Sequence, residues 1–319
     1  MSASGGTKAI IAAFLANTGI AVTKFIAWAF SGSSSMLAEA VHSVADAGNQ
    51  LLLLLGGRQA RKKADAEHPF GYGRERYVYA FVVAIILFSV GGVFSIYEGI
   101  DKLTHPHPLE NWWLPVLVLG IAIVLESFSL RTAVKESNLV RGRQSWVQFV
   151  RRAKQPELPV VLLEDVAALL GLLFALAGVS LTVLTGDNLW DGIGTIAIGV
   201  LLVVVAVILG IETKSLLVGE GATPEDHARI LAALNDHPLV EAVIHMKTLY
   251  LGPDELLVGA KIAVPKATRA VEVATAIDAI EAAVRAAVPH ARVIYLEPDI
   301  YVARDEHPST DAIVIKSAD

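Results

Sequence analysis

The chain has 319 residues, of which 54% are hydrophobic and only 18% charged. A soluble domain carries about a quarter charged residues, so this balance excludes a disordered chain, a disulfide scaffold and most single-domain soluble enzymes. There is no cysteine, which removes thiolate chemistry: no zinc ribbon, no cysteine nucleophile, no redox pair. The net charge of −6 is unevenly spread: residues 212–319 carry 10 basic and 17 acidic side chains, residues 1–211 carry 16 and 15. An acidic tail thus follows a nearly neutral apolar block, and neither part has the basic surface of a nucleic-acid binder. The opening MSASGG lacks a basic n-region, so no cleavable signal peptide is expected.

In chain order, six windows approach the roughly 20 apolar residues that span a bilayer: 9–30, 36–55, 78–100, 112–130, 158–184 and 193–211. The second is the weakest, because Glu39, His42, Asp46, Asn49 and Gln50 fall inside it. Basic residues crowd the segments between windows two and three (Arg58 to Arg76) and between four and five (Arg131 to Lys154), whereas the other loops have Lys102 alone. The positive-inside rule then places both termini in the cytoplasm. Beyond the windows, Thr223 is a good N-cap for a helix at 224–236. Residues 240–249 and 256–264 are β-rich around the turn signal Gly252-Pro253-Asp254. Val273, Ile277, Ile280, Val284 and Val288 share one face of a helix, and 293–296 is a short strand. The fold class is therefore a membrane α-helical domain at 1–215 with six transmembrane helices, followed by a cytoplasmic αββαβ domain at 216–304. Residues 305–319 are a loose end.

Ionisable groups inside spans are costly and mark function. His42 and Asp46 lie four apart on one helix face, and imidazole with carboxylate gives two legs of a divalent-metal site; the alternative is a buried hydrogen bond tying helices together. Glu164 and Asp165 are adjacent in the fifth window; successive helical residues point about 100° apart, so both can face the bundle interior from its two sides, the alternative being that one snorkels to the cytoplasmic edge or pairs with a basic residue. Asn49 is expected to bond between helices, Lys24 to snorkel, and Glu126 to pair with Arg131. In the loop that begins at Asp65, the Asp65 and His68 side chains either bind a metal or belong to an ordinary Pro/Gly turn. No HExxH sequence occurs, which argues against an intramembrane metalloprotease, and isolated acids argue against the continuous polar lining of a channel. No enzymatic activity and no resident cofactor are expected.

At these residues the sequence resembles the cation diffusion facilitators, a family of divalent-metal exporters. The resemblance covers nearly the whole chain: GSSSMLAEAVHSVADAGNQ (32–50), HPFGYG (68–73), LWDGIGTIAIG (189–199) and LGPDELLVGAKI (251–262). It implies a homodimer that exports metal, zinc first, against entering protons. The implied transport ligands are His42 and Asp46 with Asp165. The family's second helix-five histidine falls on Val161, so Glu164 is the substitute, and VLLEDVAALLG (161–171) is similar to a branch with Glu-Asp here that includes a mitochondrial zinc transporter. An oxygen-richer site is more tolerant of manganese, iron or cobalt. The implied secondary metal positions are depleted: Asp65 and His68 stand with Tyr72 in the loop, and His245 and Glu297 with Lys261 and Tyr295 in the tail. The alternatives are a manganese- or iron-type exporter of the same fold, and a membrane scaffold with a vestigial metal site. The partners implied are the lipid bilayer, divalent cations and protons; residence is the inner membrane if the source is a bacterium.

Overall fold

The computed structural model describes the backbone of residues 4–31, 34–105 and 113–300, and the side chains of these except 4–6, 28, 31, 34–39, 41 and 42. The side chains of His42 and Glu39, the ends of several loops and the expected loose end at 305–319 lie outside the described residues.

The first helices are α1 (Ser4–Ser31) and α2 (Ser34–Gln59). A long third rod follows, in which α3 (Glu75–Ile86), a π-helical turn (Leu87–Val93) and α4 (Phe94–Thr104) run on without a break. The π-turn holds the pair Gly91-Gly92, and the Ser89 hydroxyl donates back to the Ile85 carbonyl at 2.8 Å; such turns accommodate an extra residue without ending the helix. After α5 (Trp113–Arg141) comes a short surface helix, α6 (Trp146–Arg152), absent from the sequence expectation. Ser145 and Gln148 cap its start reciprocally. Two long apolar helices, α7 (Glu157–Thr185) and α8 (Leu189–Val218), complete the bundle. Gly186 adopts a positive φ of 72° just past α7, the left-handed turn that closes a helix end.

Among the described residues, five helical segments are long and apolar enough to cross a membrane: Thr7–Ala27, Glu75–Thr104, Trp113–Arg141, Glu157–Thr185 and Leu189–Val218. The sixth expected span, α2, is a helix of 26 residues and long enough. Its polar inward face keeps it below the apolarity of the others, so six spans are expected and five are found on length and composition.

The contacts divide the chain into two units, Met1–Glu220 with Tyr250–Glu255, and Gly221–Leu249 with Leu256–Asp319. In the first, Leu53, Val83, Leu87, Leu158, Val161, Leu202 and Leu209 form a buried apolar core. Close approach of helices uses glycine: a Cβ built on Gly199 of α8 would lie 2.7 Å from the Ile96 nitrogen and 2.9 Å from the Gly92 carbonyl oxygen. Small residues at such crossings are how apolar helices gain contact when lipid offers the same hydrophobicity.

After the bundle the elements run α9 (Pro224–Asn235), β1 (Ala242–Gly252), β2 (Glu255–Ala263), α10 (Ala270–Ala287) and β3 (Ala291–Asp299), the expected αββαβ order. Thr223 caps α9 as anticipated, its hydroxyl accepting from the Asp226 amide at 3.2 Å. The sheet order is β1-β2-β3, with β2 and β3 parallel. That pairing requires a crossover, which α10 supplies. Ile230, Leu234, Val258, Ile262, Ile280 and Val284 are buried in this second unit.

Candidate metal site in the helical bundle

The HxxxD segment sits midway along α2, and helical spacing puts positions 42 and 46 on one face. Asp46 lines a cavity of about 220 Å³ inside the bundle. One turn further along α2, Asn49 and Gln50 are buried, and both reach α7. The Asn49 side-chain amide donates to Glu164 Oε1 at 3.1 Å, and the Gln50 amide donates to Glu164 Oε2 at 2.7 Å. Glu164, which is buried, thus has both carboxylate oxygens fixed by α2. Each oxygen keeps a further lone pair.

Asp165 points the other way, to α5, where the Ser129 hydroxyl donates to its Oδ2 at 2.7 Å. The two adjacent acids therefore do face the interior from two sides, as their helical offset requires. Asp165 also meets the carboxyl group of Glu126. The expected partnership of Glu126 with Arg131 is not formed. Five residues along a helix turns a side chain by about 140°, so Arg131 is exposed while Glu126 is 1% exposed and lines the cavity. The i, i+3 spacing of Glu126 and Ser129 was the signal that α5 presents a polar face to α7.

The same cavity continues to Asn17, Lys24, Glu98, Lys102, Asp191 and Thr195. Lys24 is buried rather than snorkelling to an edge. Lys102 is bonded on three sides, to Asp191 at 3.1 Å, to the Thr195 hydroxyl at 3.2 Å and to Glu98 at 3.6 Å. Val161, at the position of the missing histidine, is wholly buried in the apolar core. Among the described residues, no three His, Asp or Glu side chains already stand together in metal-holding geometry.

The secondary positions are engaged by protein groups. Asp65 Oδ1 accepts from the amides of Glu67 at 3.1 Å and His68 at 2.7 Å, and its Oδ2 accepts from the Tyr72 hydroxyl at 2.7 Å. The Tyr72 hydrogen bond, then the His68 amide, hold the Asp65 carboxyl below the usual carboxylate range; the same bond pushes the Tyr72 hydroxyl up. His68 stacks on Tyr72 with ring centroids 4.4 Å apart. In the second unit Lys261 lies opposite Glu297 in the β2–β3 register, with its ammonium 2.8 Å from Glu297 and 3.1 Å from Asp299. These carboxylates, Glu297 first, push the Lys261 ammonium up. A fixed positive charge therefore occupies the position beside Glu297, and His245 is exposed on β1.

Residues 10–218 match the family model of the cation efflux transmembrane domain. The chain is 34% identical over 265 residues to the proton-coupled zinc antiporter SLC30A9, mitochondrial, of Xenopus laevis, covering 82% of this chain and 47% of that protein. It is 31% identical over 257 residues to metal tolerance protein C4 of Arabidopsis thaliana, covering 80% and 56%. To the cation-efflux pump FieF of Klebsiella pneumoniae it is 25% identical over 251 residues, covering 79% of each. The chain spans about half the length of the first two relatives. It belongs to the cation efflux family, the cation diffusion facilitators, and is an integral membrane protein with the helical domain of a transporter.

Proposed function

We propose that this protein exports divalent cations, zinc foremost, in exchange for protons. The observation that carries the reading is that α2 and α7 present Asp46 and Glu164 to one cavity inside the bundle, with Glu164 fixed by Asn49 and Gln50. The relatives named as a zinc antiporter and as a cation-efflux pump support it. The cargo ion is held by His42, Asp46 and Glu164, with Asp165 entering as it exchanges its Ser129 bond for the metal. Such ligands bind metal as neutral imidazole and ionised carboxylate, so loading releases protons and protons displace cargo. An imidazole's ordinary pKa of about 6.5 suits that exchange near neutral pH.

The basic segments support cytoplasmic termini, and alternate tilting of the helices about a midplane site exposes it to either side. The second unit dimerises the protein through its αββαβ fold, without metal sensing, because Lys261 occupies the charge of Glu297 and Asp299. The loop position at Asp65 and His68 serves as a hydrogen-bonded turn.

In liposomes loaded with a zinc-sensitive dye, the parent protein moves zinc in a manner driven by a pH gradient. Asp46→Ala reduces the rate at least tenfold; a variant that moves zinc as fast as the parent sinks the site assignment, and transport indifferent to the gradient sinks the proton coupling.

A further inference from the structure

We propose that Glu126 of α5 is a ligand for the cargo cation, supplied by a third helix where the helix-five histidine position carries Val161. The proposal rests on the exporter reading above and deepens it.

Glu126 lies in the middle of α5, faces the same cavity as Asp46 and Glu164, and is 1% exposed. One of its carboxylate oxygens, Oε2, is buried with no hydrogen-bond partner among the described residues. An acid within a span is costly to keep, and buried oxygen acceptors in native proteins are nearly always satisfied. Glu164 illustrates the satisfied case, since Asn49 and Gln50 donate to its two oxygens. Glu126 has no such donors for Oε2, and its side chain lines the cavity that Asp46 also lines. A divalent cation there supplies the missing partner.

The alternative ligand position is closed. Val161 belongs to the buried apolar core with Leu53, Val83, Leu158 and Leu209, so that position offers the ion no donor, and Glu126 adds one beside Glu164. Asp46, Glu126 and Glu164 do not stand together in metal-holding geometry among the described residues; they come from three different helices, and the ion draws α2, α5 and α7 together around itself. The resulting donor set is dominated by carboxylate oxygen. Oxygen donors suit hard ions such as manganese, whereas imidazole favours zinc, so Glu126 broadens the range of ions accepted.

The test compares binding of Zn²⁺ and Mn²⁺ to the purified full chain in detergent, by equilibrium dialysis, with transport measured in liposomes. Glu126→Gln keeps the shape and can still donate a hydrogen bond to Asp165, but loses the anionic ligand. It should weaken Mn²⁺ binding at least tenfold and Zn²⁺ binding less, raising the zinc-to-manganese preference. Glu126→Asp keeps the charge and should bind both ions within a few-fold of the parent. Equal affinities in Glu126→Gln and the parent overturn the proposal. So does equal weakening in Gln and Asp variants, which marks a packing role. Asp46→Ala run alongside separates the two levels: loss there with an unaffected Glu126→Gln removes only the new ligand, whereas an unaffected Asp46→Ala removes the site itself.

Discussion

Gln50 on α2 donates its side-chain amide to Glu164 on α7 at 2.7 Å, across 114 residues of chain. With Asn49 beside it, this bond fixes the carboxylate that α7 presents to the cavity. A hydrogen bond to a charged group is worth about 1.5–3 kcal/mol. Gln50→Leu removes one donor and frees Glu164 to turn. Zinc affinity of the purified protein should fall about tenfold, equivalent to about 1.4 kcal/mol. The transport KM should rise by more than kcat falls, as measured in liposomes.

Arg76, in the first turn of α3, pairs through Nε with Glu157 in the first turn of α7 and through Nη1 with Asp254 at 3.0 Å. Asp254 stands in the turn between β1 and β2, part of the first unit. Glu157 is buried; Arg76 meets its Oε1, and its Oε2 has no hydrogen-bond partner among the described residues. Arg76→Gln leaves that carboxylate without its counter-charge, a larger effect than the pair's net contribution. Thermal unfolding in detergent should show a loss of about 2 kcal/mol, with Glu157→Gln in the same background recovering part of it.

Gly199 has no room for a side chain, because its added Cβ would meet backbone atoms of the third rod. Gly199→Val should destabilise the bundle by about 1–3 kcal/mol or more and abolish transport by separating α8 from α4. Gly120 on α5 is the control: an added Cβ there meets nothing within 4 Å. Gly120→Ala should be neutral or stabilising by up to about 1 kcal/mol, the helix preference of alanine over glycine. Melting curves of the two variants decide the comparison.

The loop at Asp65 has a pH signature of defined sign. Its folded pKa is lowered, chiefly by the Tyr72 hydroxyl. The loop's order is therefore fully supported above the ordinary aspartate range and is lost as pH falls through the lowered value. Carboxyl-carbon NMR should place the Asp65 midpoint below that of an ordinary aspartate. Tyr72→Phe should move it up towards the usual range and leave zinc transport unchanged.

Much of the architecture is legible along the chain, because helical spans and strands depend on local pattern. Runs of about 20 apolar residues, the capping Thr223, the turn at Pro253-Asp254 and the spacing of Ile277, Ile280 and Val284 each act over a few neighbours. They anticipate the bundle and the αββαβ order. The same logic offsets Glu164 and Asp165 to two sides of α7. The weak second window stayed ambiguous for a local reason: the polar residues that make α2 useful also lower its apolarity. The short α6 carries too few residues to show a period.

What the sequence by itself determined is which residues are out of place by composition: His42, Asp46, Glu164 and Asp165 inside apolar helices, with Asn49, Glu126 and Lys24 given lesser, structural roles. Only the tertiary structure decided their partners. Gln50 rather than a second histidine secures α7, Glu126 turns to Asp165 rather than to Arg131, and Lys24 is buried against the cavity. These choices follow from how helices far apart in sequence rotate and pack against each other. Periodicity fixes the face a residue occupies on its own helix; the neighbouring helix that meets that face is set by close packing around glycines such as Gly199 and by the need to satisfy every polar atom that water cannot reach.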